Sequence, residues 1–384
     1  MSLITTTADL AAFVRRARRE RYVTIDTEFM RDRTYWPRLC LVQIATAEEA
    51  VAIDPLAEGM DLAPLHELLH DLAVLKVFHA CRQDLEIFYR MLDGALPEPV
   101  FDTQVAAMVL GLGEEASYES LVTRIARARL DKSSRFTDWS RRPLSEAQLR
   151  YALADVTHLR VIYERLHERL VARGRLAWVD EELANLLDPR LYEQPPEEAW
   201  KRLKLRSREP RFVKLVQELA AWRERTAQRR DLPRSRVLRD DLLLELAAAR
   251  PTEIEDLRRL SRISLDRQSA AEVVAVVRRV MALAEEALPR LPPPPEKPRG
   301  LGPVVDLLRV LLKYCAEEYQ VAQRLVAGTA DLEAIAAGRE AGIPALSGWR
   351  REIFGERALA LRRGHLALTV RGRRLRLLDR EPVG

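Results

Sequence analysis

The chain has 384 residues, 47% of them hydrophobic, a globular composition long enough for two or three domains with separate cores. No run approaches the ~18 apolar residues of a membrane span, and "MSLITTTADL" lacks the basic and apolar regions of a secretory signal, so a soluble cytoplasmic protein is expected. Three widely spaced cysteines argue against a disulfide framework or a cysteine zinc site, and a net charge of +5 favours a polyanionic partner.

The opening "TTTADLAAFVRRARRE" has helical spacing behind Thr and Asp capping residues. Three β-rich runs follow, "YVTID", "RLCLVQIAT" and "AVAID", the last turning at Asp54-Pro55. Next come a helix at "LAPLHELLHDL", a strand at "VLKVFHA" and a helix at "RQDLEIFYRML", the pattern of an α/β domain with a mixed sheet flanked by helices. From "FDTQVAAMVLGL" onward the chain reads as helical, with Asp102 as an N-cap. "PLSEAQLRYALADVTHLRVIYERLHERL" is the clearest helix, opened by a Ser145/Gln148 capping box. A second unit of short helices is broken at Pro233 and Pro251. Residues 288 to 300, "LPRLPPPPEKPRG", read as an extended linker to a third unit, which closes on a basic hairpin around Arg371-Gly372.

Alternation along "YVTIDTEFM" puts Asp26 and Glu28 on one strand face, where two anions repel unless a cation lies between them. Asp84 stands at the edge of the Leu85, Phe88, Leu92 stripe, and Asp155 takes a place in the stripe Ala152, Leu159, Ile162, Leu166 where periodicity expects an apolar residue. Tyr151 lies one turn before Asp155 on the same face. Four such carboxylates can converge as oxygen ligands for two Mg²⁺ or Mn²⁺ ions, with Tyr151 beside the attacking water of a phosphodiester hydrolysis. Each acid alone has a plainer reading: an exposed strand end, a surface pair with Arg82 or Arg90, or, for Tyr151, a packing residue.

"DTEF", "HACRQD" and "YALAD" resemble the three motifs of the DEDD exonucleases, and Tyr151 four residues before Asp155 matches the tyrosine branch; the histidine branch would have His where this chain has Arg150. "DTEFMRDRTYWPRLCLVQIAT", "FDTQVAAMVLGLG" and "LDKSSRFTDWSRRPLSEAQLRYALADVTHL" resemble the ribonuclease D family, and residues 208 to 285 resemble its HRDC domain. This resemblance implies an RNase H-like exonuclease domain over 1–175, a helical connector over 176–207 and an HRDC domain over 208–290. It further implies a linker over 291–300 and a second HRDC-like unit over 301–384. It implies a 3′–5′ exoribonuclease that releases nucleoside 5′-monophosphates and trims tRNA precursors and other structured RNA ends. Asp26 would bridge two metal ions, Glu28 and Asp155 would complete the first site, and Asp84 would hold the second largely through water.

Phe29 and Met30 are candidates to stack on the terminal nucleotide, Trp139 to stack on RNA or to fill core, and Arg141 and Arg142 to contact phosphate. Asp54 reads as a turn residue, and His79 as satisfying a backbone group. The segment 201–250, with 15 Lys plus Arg against 7 Asp plus Glu, reads equally as a phosphate track or as a surface of salt bridges. A 3′–5′ DNA exonuclease and an inert nucleic-acid binding protein are the alternatives, and a monomer is the default.

Overall fold

The structure, a computed structural model, describes residues 2–131, 133–260, 263–292 and 300–379. The chain begins with a short strand, β1 (Ser2–Ile4), followed by α1 (Thr7–Ala17), whose N-cap Thr6 accepts the Asp9 N–H at 3.2 Å. Then come β2 (Tyr22–Met30), β3 (Arg38–Ala45), β4 (Ala50–Ile53), α2 (Ala63–His70), β5 (Leu75–Phe78), α3 (Arg82–Met91), β6 (Val100–Asp102) and α4 (Thr103–Val109). The sheet runs β1-β4-β3-β2-β5-β6, with β2 and β4 antiparallel to β3 and the other pairs parallel. Two strands differ from the sequence reading. Ser2–Ile4 is too short to signal a strand and exists by pairing with β4, and "VFD" starts as the edge strand β6 before the helix that Asp102 caps.

Alternation sorts β2. Val23 and Ile25 enter a core built with α1, α2 and α3, while Asp26 and Glu28 face the opposite side. That side is crossed by the helix Glu146–Ala172, which follows the short helix α5 (Tyr118–Leu121) and is labelled α6; its 27 residues span ~40 Å over β2, β3 and β4. The Ser145/Gln148 capping box that starts it is present. The helix α7 (Leu176–Leu186) leads to a helical unit, α8 (Pro210–Arg230), α9 (Arg234–Val237), α10 (Asp240–Ala249), α11 (Ile254–Arg259) and α12 (Arg267–Met281), with breaks at Pro233 and Pro251. Most of the linker, 293–299, lies outside the described residues. The third unit starts with α13 (Gly302–Tyr319) and ends in the hairpin β7 (Leu366–Arg371) and β8 (Arg374–Asp379).

The first helical unit is fastened to the α/β domain and the third unit to α7. Tyr35, between β2 and β3, hydrogen-bonds Glu224 of α8 through its hydroxyl and accepts from Arg234 at 2.8 Å, while Asp231 accepts the N–H groups of Tyr35 and Trp36 at 3.0 Å each. Trp178 of α7 stacks on Trp349 of the third unit with centroids 4.4 Å apart, and Arg350 donates to Glu181 at 3.0 Å and to Glu182. The 201–250 arginines are largely consumed by such contacts. Arg223 pairs with Asp240, Arg225 with Glu197, Arg230 with Asp266, Arg234 with Glu224 and Arg250 with Glu209, which favours the salt-bridge surface over the phosphate track.

Candidate active site

β5 pairs with β2 only as far as Thr24↔Val77, so the rest of that β2 edge is open. The β2–β3 register also shifts between Glu28 and Phe29, a bulge that re-aims the side chains at the strand end. Into this opening comes the start of α3. Its N-cap, Cys81, makes no side-chain cap; Asp102 of β6 serves instead, accepting the N–H groups of Ala80 at 3.0 Å and Cys81 at 2.8 Å as well as that of Gln104. Asp102 therefore fixes the helix end that carries Asp84, which is buried and accepts from the Thr27 hydroxyl at 2.5 Å.

Asp155 arrives from above on α6, whose position is set by three further bonds. Thr24 Oγ1 of β2 donates to the Val156 carbonyl at 2.8 Å, and the Tyr118 hydroxyl reaches the carbonyls of Asp155 at 2.5 Å and Ala154 at 3.2 Å. Asp26, Glu28 and Asp155 then offer carboxylate oxygens all within 4.8 Å of one another. Asp84 stands beside this group, close enough for the Asp26 charge to act on it.

Burial first, and then the neighbouring carboxylates, push the Glu28 and Asp155 carboxyls far above their ordinary range, and Asp84 follows for the same reasons against the Thr27 hydroxyl bond. Burial alone raises Asp26. Tyr151 is raised well above the usual phenol value by burial and by the charges of Asp155, Glu28 and Asp26, and it is hydrogen-bonded to Asp155. No Lys or Arg among the described residues forms an ion pair with these acids. Gln43 lies directly across from Asp26 in the β2–β3 register, fully buried, with neither amide atom hydrogen-bonded. A set of recessed hard oxygen donors, with an unpaired amide beside it, suits hydrated divalent cations of the Mg²⁺ or Mn²⁺ type.

Asp26, Tyr151 and Asp155 line one cavity together with His79, Tyr118 and Arg135. His79 bonds the Thr103 hydroxyl at 3.0 Å and also the expected backbone group, that of Ala116. Phe29 and Met30 are half-buried at the strand end, and Arg141 is exposed.

Two expectations need correction. Trp139 is 2% exposed and packs with Cys40, Ala152 and Leu153 behind the Tyr151 ring, so its face is unavailable to RNA. Arg142 donates twice to the buried Asp54 at 2.6 Å and to the Cys40 carbonyl at 2.7 Å, so its guanidinium is committed inside the fold; Asp54, besides turning the chain at Leu56, is its counter-ion. The sequence reading passed over Tyr118, Thr24, Gln43 and Arg135. Only their positions across the chain, not any local pattern, tie them to the acids.

Residues 1–171 match the 3′-5′ exonuclease family and residues 213–277 the HRDC domain. The ribonuclease D of Gluconacetobacter diazotrophicus is 50% identical over 377 residues, 97% of this chain and 96% of that protein. That of Jannaschia sp. is 51% identical over 98% of this chain and 99% of its own length. Among solved structures, Escherichia coli RNase D, an exoribonuclease involved in structured RNA processing, superposes with a TM-score of 0.81 at 30% identity, covering 94% of this chain and 98% of that one.

Proposed function

Because this chain belongs to the ribonuclease D family of 3′–5′ exoribonucleases, we propose that the carboxylate cluster is its hydrolytic centre and trims the 3′ ends of structured RNAs, tRNA precursors among them. The observation that carries this reading is the convergence of Asp26, Glu28 and Asp155 within 4.8 Å, with Asp84 adjacent. Asp26, Glu28 and Asp155 would hold one divalent ion, and Asp26 with Asp84 a second. Such ions, when bound, supply a nucleophile at neutral pH and neutralise charge on the phosphate.

The protein's own groups do the rest. Thr24, Tyr118 and Asp102 hold the helices that present Asp155 and Asp84. The Tyr151 hydroxyl, steadied by Asp155 and backed by Trp139, orients the water that attacks phosphorus. A new P–O bond forms as the bond to the upstream O3′ breaks; the upstream RNA keeps a 3′-hydroxyl and the last residue leaves as a nucleoside 5′-monophosphate.

We further divide the chain into an exonuclease domain (1–175), a connector (176–207), an HRDC domain (208–290), a linker (291–300) and a second HRDC-like unit (301–384), acting as a monomer. Three cysteine thiols, all buried and unpaired, fit the reducing cytoplasm. Incubating 3′- and 5′-labelled RNA with the protein in Mg²⁺, Mn²⁺ or EDTA tests the reading. Metal-dependent shortening from the 3′ end, absent in Asp26→Ala, is expected; RNA binding without shortening in either metal would overturn it, and equal shortening of DNA would overturn the preference for RNA.

A further inference from the structure

A second cavity, of ≈ 400 Å³, has walls that include Met30, Arg33, Arg38, Phe136 and Asp138. Phe136 is 90% exposed, the single aromatic among the large hydrophobic side chains that the described residues leave in water. Its position is built. The Thr137 N–H and hydroxyl bond the carbonyl of the buried Ser134 at 3.2 and 2.8 Å, and Gln148 of α6 donates to the Thr137 hydroxyl at 3.0 Å, so the ring stands on a braced turn.

The preceding residue connects this turn to the reaction centre. Arg135 lines the catalytic cavity, with its guanidinium carbon 5.2 Å from the Phe136 ring centroid. Two consecutive residues thus line the two cavities. Met30 in the second cavity is two residues beyond Glu28, past the bulge. Arg38, which lines this cavity, and Arg141, which follows its lining residue Ser140 in the chain, are exposed and form no ion pair among the described residues, unlike the arginines of α8 to α10.

We propose that Phe136 is a stacking platform for one base of single-stranded RNA beside the scissile phosphate, with Arg38 and Arg141 holding the phosphates that flank it. The proposal rests on the exoribonuclease reading and adds a nucleotide subsite to it. An enzyme that removes residues one after another needs a contact that accepts each base in turn. An aromatic face does so because every base has a π surface, whereas hydrogen-bond readout would discriminate.

The test is the affinity of the full-length protein for short oligoribonucleotides in EDTA, by fluorescence anisotropy, with one abasic residue walked inward from the 3′ end. In the wild type a single position is expected to lose on the order of 10-fold in affinity. Phe136→Ala should lose about the same factor on the intact oligomer and become indifferent to the abasic residue at that position. Phe136→Trp should restore the wild-type profile, and in Mg²⁺ Phe136→Ala should raise KM with kcat little changed. Wild-type affinity in Phe136→Ala, or an abasic profile that this variant leaves intact, would overturn the platform while leaving the exonuclease reading standing. A wild type that binds but never shortens RNA would overturn both.

Discussion

Replacing Asp155 by Asn is expected to raise the melting temperature of the metal-free protein while abolishing cleavage. Asp155 shares its surroundings with Asp26 and Glu28 at separations within 4.8 Å, and two unit charges that far apart repel by about 3 kcal/mol at an effective dielectric of 20. Proton uptake and water relieve much of this, so a gain of about 1–3 kcal/mol is expected, or roughly 2–10 °C for a domain of this size. The gain depends on pH. Burial and the Asp26 charge hold the Asp155 carboxyl up at about 8, above its unfolded value of about 4. The folded state therefore keeps a proton that the unfolded state has released, and stability falls as pH rises from about 4 through about 8. Thermal melts in EDTA at pH 5 and pH 8.5 should show a small advantage for Asp155→Asn at the first and a large one at the second. Mg²⁺ should then stabilise the wild type more than the variant. A variant that melts below wild type at pH 8.5, or gains equally at both pH values, would refute the like-charge account.

Tyr151→Phe should lower kcat on the order of 10²-fold with RNA affinity little changed, because the ring stays packed against Trp139 and only the hydroxyl is lost; steady-state kinetics beside equilibrium binding would separate the two. Arg142→Ala should cost about 2–4 kcal/mol of stability by stranding Asp54, whose side chain is 5% exposed, and should leave the salt dependence of RNA binding unchanged; a reduced salt slope would return Arg142 to the phosphate contacts. Arg234→Met should destabilise by a similar amount, because the Glu224 side chain it pairs with is 1% exposed, and should loosen the Tyr35 joint, read as faster proteolysis between β2 and β3.

The carboxylate cluster of this protein is more legible in its sequence than the contacts that surround it. Asp26 and Glu28 declare themselves by alternation, and Asp155 by standing where an apolar residue belongs; both patterns are local and survive without the fold. The capping box of α6 and the proline breaks after α8 and α10 are likewise written in neighbouring residues. What the sequence hides is pairing at a distance. Arg142 looks like a surface cation until Asp54, 88 residues away, is set against it. Trp139, which from sequence could stack on RNA or fill core, is decided for the core once Cys40 and Ala152 enclose it. The basic run of α8 to α10 loses its apparent freedom once acids from other turns meet it, and Asp102 turns from the cap of one helix into the anchor of two. The proline-rich linker suggests a detached third unit, yet the Trp178–Trp349 stack and the Arg350 pairs dock that unit on α7.

The central claim is that the clustered carboxylates exist to hold divalent ions. Titrating the protein with Mn²⁺ and counting bound ions by electron paramagnetic resonance, for wild type and Asp26→Asn side by side, tests it most directly. Two bound ions in the wild type, with neither retained at comparable affinity in Asp26→Asn, is the predicted result. Equal Mn²⁺ binding by the two proteins would contradict it.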